Sequence, residues 1–344
     1  MKSKRRLPLW AFVGAAIATA PAVTNAESVF LKFDSYQPTA TAGQMGIAFV
    51  QAVQKETDYK IQVSTGKAAT KAALDSAKGK VDLYFSSPGI NHLMKKGAAM
   101  YKKVKKAPEL HANLRSMLSF PLGVYHYTVY ESTGIKGFGD LKGKTVFVGP
   151  PGGVATKIGC DVIQAHSGLV CDKDYKLARF DWTSAPPAFQ DRQLDMYGLP
   201  TNAPAPRIQE WALGGKLRFL TLTDKALKTP EMKKVLSVPG RTLERWDPLV
   251  YGADKVANTG PINVIGVWLH IGTNNKLPEE VGYNMIKAFW KNIDTVRETA
   301  YWMKQIDMKI ATKQLNIPLH AGAYRYYKEI GFDLPDSLKP PEAK

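Results

Sequence analysis

Residues 59–85 read YKIQVSTGKAATKAALDSAKGKVDLYF. Ile61 and Val63 alternate along Tyr59 to Ser64, which predicts a strand. Gly66 breaks the run, Thr70 to Ala77 is helical, and Val81 to Phe85 is a second strand. Strand, turn, helix, strand is the unit that builds a parallel sheet with helices on its faces. The rhythm continues in both directions. Upstream, Val29 to Phe33 is a strand and Thr41 to Lys55 a helix with Ile47, Val50 and Val53 on one face. Downstream, Gly89 to Gly97 starts another helix.

A second set follows. Tyr125 to Tyr130 is an aromatic strand, and Asp140 to Lys144 turns into the strand Thr145 to Val148. Thr156 to His166 is a helix stopped by Gly168. Strands at Leu194 to Tyr197 and Leu217 to Leu222 flank a helix at Arg207 to Leu213. Asn263 to Ile271 is a long apolar strand, read as a return crossing between two lobes. Pro278 to Lys304 is a long helical region whose apolar stripe, from Val281 through Met285 and Phe289 to Val296, is core. The expectation is an α/β fold with a largely parallel sheet in two lobes, residues 27–123 with 254–344 and residues 124–253.

The N-terminus carries Lys2, Lys4, Arg5 and Arg6, then an apolar run to Ala20 and small residues ending at Ala26. That order is a secretory signal peptide over residues 1–26, cut after Ala26, with Ala22 as the weaker site. The apolar run is short and holds Pro8 and Pro21, which disfavours a membrane anchor. The remaining 318 residues exceed one usual core, in keeping with two lobes. The four basic residues of the signal take the net charge from +17 to +13. Lys and Arg are scattered, apart from Lys95-Lys96 and a cluster over 102–106, so the excess favours anions without pointing to nucleic acid. In an exported chain Cys160 and Cys171 read as a disulfide, the alternative being two buried thiols.

Three loops lie between a strand and a helix, where open α/β sheets bind ligands. The first is Ser64 to Thr70. Gly66 permits an unusual backbone angle, the helix start offers free N–H groups, and Lys67 adds a full charge. The second is Gly149 to Thr156, a candidate anion cradle that is neither a Walker loop nor GxGxxG. The third is Tyr197 to Pro204, where Tyr197, Thr201 and Asn202 offer hydrogen bonds. The candidate ligand-binding set is Thr39, Gly66, Lys67, Thr70, Ser86, Ser87, Gly152, Gly153, Thr156, Tyr197 and Asn202. The plainer reading of each loop is a capped surface turn. HExxH, CxxC and GxSxG are absent from the sequence, and the six histidines have no metal-ligand spacing, so no catalytic residue, metal or cofactor is expected. His320 reads as a hydrogen-bonded structural residue.

Two segments carry a family resemblance. Asp140-Leu141-Lys142-Gly143-Lys144-Thr145-Val146 followed by Gly149 is similar to a DLKGK turn-strand. Pro318-Leu319-His320-Ala321-Gly322-Ala323-Tyr324-Arg325-Tyr326-Tyr327 through Gly331 resembles the C-terminal PLHPGAxRYYxExG element of TAXI-type solute receptors of TRAP transporters. The resemblance implies a periplasmic receptor of the two-lobed periplasmic-binding-protein type (type II, Venus flytrap). Such a receptor closes by hinge motion over a small organic anion, a carboxylate or amino acid, and serves membrane permease subunits. The pocket departs from the family, because the Gly-Ser-x-x-Asn loop corresponds to Gly66, Lys67 and Thr70, and Gly-Ser-Gly-Thr to Gly152, Gly153, Val154 and Ala155. An exported enzyme using the same cleft and a periplasmic sensor feeding a signalling partner are the alternatives.

Overall fold

The computed structural model describes residues 28–343; the signal-peptide reading at residues 1–26 lies outside them. Ten strands form one mixed, curled sheet: β1 (Phe30–Asp34), β2 (Lys60–Ser64), β3 (Leu83–Ser86), β4 (Leu114–Tyr130), β5 (Thr145–Phe147), β6 (Lys176–Leu177), β7 (Met196–Thr201), β8 (Leu217–Phe219), β9 (Arg241–Trp246) and β10 (Ile262–Asn274). The order is β2-β1-β3-β10-β4-β7-β5-β6, with β8 on β4 and β9 on β10. Parallel pairing holds at the two ends, in β2-β1-β3 and in β7-β5-β6. The centre is antiparallel, and this corrects the expectation of a largely parallel sheet.

Two long strands explain the centre. β4 runs 17 residues and β10 runs 13. β10 pairs with β3 through residues 270–272, with β4 through residues 266–274, and with β9 through residues 262–267. The second half of β4 pairs with β7 and β8. One sheet therefore runs through two bodies, each with its own core. Phe33, Phe49, Phe85, Phe120, Met285 and Phe289 pack in the first. Tyr127, Phe138, Val146, Val162 and Met196 pack in the second, beside an aromatic group of Phe147, Phe189, Tyr197 and Trp211. Val256, Ile262 and Val264 join that aromatic group.

The first helix, Thr41–Glu56, buries Met45, Ala48, Phe49, Ala52 and Val53. Ile47, expected on the core face, is 38% exposed, and Val50 is only half-buried. Phe49 sets the rotation, because its ring packs against Phe33 and Phe289. The long helical region expected after Pro278 is broken. Glu279–Lys291 ends at Asn292, Ile293–Glu298 follows, and Tyr301–Gln305 is a 3-10 turn. Cys160 and Cys171 form a disulfide with Cα atoms 5.9 Å apart, joining the helix Val154–Ser167 to the loop after it.

The His320 element is scaffold. His320 Nε2–H donates to the Leu277 carbonyl, and Nδ1 accepts from the Gly322 N–H at the start of the helix Ala321–Glu329. A Cβ on Gly322 would fall 2.1 Å from the Glu279 carbonyl, so only glycine lets the two helices touch here. Among the described residues no helix is long and apolar enough to cross a membrane.

Candidate functional site

Between the two bodies lies a cavity of about 850 Å³. The first body contributes the loop after β1, the Gly66 loop and the Ser87 turn. The second contributes the segments around Gly153, Trp182, Asn202 and Arg241. Leu122, Tyr125 and Val267 of the crossing strands form the floor.

Five helices begin at this cavity: Thr41–Glu56, Ala69–Ala77, Pro88–Lys95, Val154–Ser167 and Pro206–Leu213. Their N-cap residues, Ala40, Ala68, Ser87, Gly153 and Ala205, all line it. Ser87 caps its own helix by accepting from the Ile90 N–H. The other four have no side-chain cap. Uncapped N-terminal N–H groups and the positive ends of helix dipoles favour an anion.

Arg241 supplies the full charge. It opens β9, is 8% exposed, and lines the cavity. Its Nη1 donates to the Val235 carbonyl at 2.8 Å, while the buried Nε has no hydrogen-bond partner. No carboxylate pairs with it among the described residues; burial pulls its pKa below the usual arginine value, and Tyr125 and Asp161 partly oppose this. An arginine held this way is costly unless an anion completes it. Arg207, half-buried at the start of Pro206–Leu213, also lines the cavity without an ion pair.

The expected residues divide. Thr39, Gly66, Lys67, Thr70, Ser87, Gly153 and Asn202 line the cavity; Ser86, Gly152, Thr156 and Tyr197 do not. Ser86 is buried and donates to Asn91, which reaches His270 and Asn316. Gly152 stands with φ +74° in the turn before the cavity wall, and Thr156 donates back to the Pro150 carbonyl. Tyr197 lies in β7, because the strand runs on to Thr201 where a loop was expected, and its ring packs on Phe147 and Trp211.

Lys67 departs most from its expected role. Its ammonium sits 2.5 Å from Asp34 and 3.1 Å from Asp75. Burial works to lower its pKa, but the hydrogen bonds it donates to Asp34 and Asp75 outweigh this and raise it. Its charge is answered within the protein, so Lys67 does not offer an anion a free cation. Sequence reasoning passed over Arg241, Tyr36, Tyr125, Trp182 and Trp302. The one local signal for Arg241 is its place directly after Pro239-Gly240. Gly240 takes φ +80° and a Cβ there would fall 2.8 Å from Pro88, so the backbone approaches the first body across the cleft.

A family profile described as the NMT1-like family matches residues 40–331. The chain belongs to the NMT1-like family. The chain is also similar to several solved structures. A structure described as a periplasmic transporter superposes with TM-score 0.51 at 14% identity, covering 90% of this chain and 94% of that one. A TRAP periplasmic solute-binding protein from Sulfitobacter sp. NAS-14.1, with bound β-D-galacturonate, gives TM-score 0.46 at 10% identity, covering 89% and 88%. The periplasmic aliphatic sulphonate binding protein SsuA from Escherichia coli gives 0.44 at 14%, covering 92% and 94%. This NMT1-like chain shares its two-lobed α/β fold with the structure described as a periplasmic transporter.

Proposed function

We propose that this NMT1-like chain is a periplasmic solute receptor that closes over a small organic anion and passes it to membrane permease subunits of a TRAP-type transporter. The carrying observation is Arg241, buried at the cavity wall without a carboxylate partner and facing four uncapped helix starts. The TAXI-type assignment rests on the resemblance of the segment from Pro318 to Gly331. Export with removal of residues 1–26 belongs to the same reading. The lobes are residues 27–123 with the chain from mid-β10 to 344, and residues 124 to mid-β10. Among the described residues the two long strands β4 and β10 run between the cores, a layout suited to hinge closure.

Calorimetry on wild type and Arg241→Gln, using the small molecule identified by mass spectrometry in native purified protein, tests the reading. The substitution is expected to weaken an anion by at least tenfold, about 2–5 kcal/mol if the pair is desolvated. Unchanged affinity would remove Arg241 from the site. Turnover of the bound molecule by pure protein would favour an exported enzyme.

A further inference from the structure

The lining of the cavity offers hydrogen-bond donors, and its carboxylates and amides are for the most part already engaged. Four of the seven acidic or amide side chains in the wall can be followed to a protein partner. Asp161 takes both its oxygens to Lys157, at 2.9 and 2.8 Å. Asp181 accepts from the Thr183 and Ser184 N–H groups. Gln44 accepts from the Trp302 indole at 2.7 Å, and Asn202 accepts from Gln305. Thr41 and Thr201 bond to one another. The exceptions are Gln37, half-buried after β1, and the exposed Gln164 and Glu231, the last at the first turn of the helix Pro230–Leu236. On the donor side stand Arg241 and the uncapped helix starts.

Much of the rest of the wall is apolar or aromatic, with basic residues such as Lys157, Arg207 and Lys234 among it. Tyr36, Tyr125, Val267, Trp182 and Trp302 face the same space. Its volume is ample for a ring or a short chain beyond the head group.

On the reading that this is an anion receptor, we propose that the ligand class is a donor-poor amphipathic monoanion: one carboxylate or sulfonate head on an unsubstituted aromatic or aliphatic body. An ammonium in the cavity would find free carboxylate oxygens only at the exposed Asp181 and Glu231, and several hydroxyls would meet few unengaged side-chain carboxylates or amides beyond Gln37 and Gln164. Each buried donor left without an acceptor costs affinity, which is how a site of this kind rejects close analogues. Amino acids and sugar acids fall outside the class, which narrows the carboxylate-or-amino-acid expectation drawn from family resemblance.

A matched series decides it. Calorimetry on ligand-free, refolded protein would compare 3-phenylpropionate with phenylalanine (an ammonium added), 3-phenyllactate (a hydroxyl added) and 3-phenylpropionamide (the charge removed). Hexanoate and hexanesulfonate vary body and head, and galacturonate is the polyhydroxylated control. At least one plain monoanion is expected to bind tenfold or more tightly than phenylalanine and galacturonate, and to lose tenfold or more in Arg241→Gln. Tighter binding of phenylalanine or galacturonate, with Arg241→Gln still damaging, would overturn the ligand class and leave the anion receptor standing. Equal binding of the acid and its amide, with Arg241→Gln silent, would overturn both. Failure of every plain monoanion to bind would also overturn the class.

Discussion

Lys67 and Arg241 are both basic residues on the wall of one cavity, and they do opposite jobs. Lys67 follows a glycine at a strand-to-helix turn, where a cation looks ready for a ligand. Two aspartates answer it: Asp34 at the end of β1, 33 residues earlier, and Asp75 in the next helix, 8 residues later. Lys67→Met would leave two carboxylates close together, one of them only 7% exposed. Because the lysine is 30% exposed, water screens part of the loss, and a destabilisation of about 1–2 kcal/mol is expected. Urea unfolding of the variant measures it. The anion affinity should fall much less than in Arg241→Gln; an equal or larger fall, with stability unchanged, would restore Lys67 to the ligand. Neighbouring residues cannot distinguish these cases, because the partner of a charge is chosen by the fold. Arg241 was illegible for the same reason: its meaning is the absence of a partner, which no sequence window contains.

Elements were read more successfully than their faces. The strand-helix alternation from Tyr59 to Phe85 is real, and β10 was recognised as the return crossing. Its partner was only half seen. Leu114 to Pro121 lacks simple alternation because β4 is buried on both faces there, so a period-2 test has nothing to detect. Tyr197 to Thr201 was read as a loop because Gly198 and Pro200 resemble punctuation. Pro200 sits in the strand where it is paired by its neighbours, opposite Tyr125 of β4. Two elements carry direct tests. Reducing the Cys160–Cys171 link by a Cys160→Ser, Cys171→Ser double variant opens a loop with a sequence separation of 11. That should cost about 2–3 kcal/mol in urea unfolding, and no change in midpoint would show that the unfolded chain is not restrained by it. At the helix pair, Gly322→Ala forces a methyl against the Glu279 carbonyl and the Tyr283 N–H. Destabilisation of about 3 kcal/mol or more is expected, beyond ordinary overpacking, because the obstacle is backbone. A variant of wild-type melting temperature would mean the two helices separate freely.

At the scale of the whole molecule, two bodies on one sheet leave the crossing strands to hold polar groups in a dry place. His126 in β4 and His270 in β10 are both fully buried. His126 Nδ1–H donates to the Val124 carbonyl, and its Nε2 accepts from the Tyr251 hydroxyl, which in turn accepts from the Ala205 N–H. The chain links β4 to the helix start at the cavity, and it needs a neutral imidazole. Burial pulls the His126 pKa down to about 4 and that of His270 down to about 3. The unfolded chain takes its proton first, near pH 6.5. Between about pH 6.5 and the folded values, the unfolded state therefore binds more protons, and stability falls as the pH falls. At pH 5 each histidine has lost about 2 kcal/mol relative to pH 7, so the pair accounts for about 4 kcal/mol. Native carboxylates with lowered pKa, such as Glu131 held by Arg218, add their own loss further down, below the ordinary carboxylate range. The window from pH 6.5 to 5 thus isolates the histidines. Burial also pulls His111 down to about 4 and lowers His92, His166 and His320. Urea unfolding at pH 7 and pH 5 should therefore differ by at least about 4 kcal/mol, and His126→Gln should remove about 2 kcal/mol of that difference while lowering stability at pH 7. A difference below about 1 kcal/mol would mean that both rings accept protons in the folded state, and that the crossing strands are open to water.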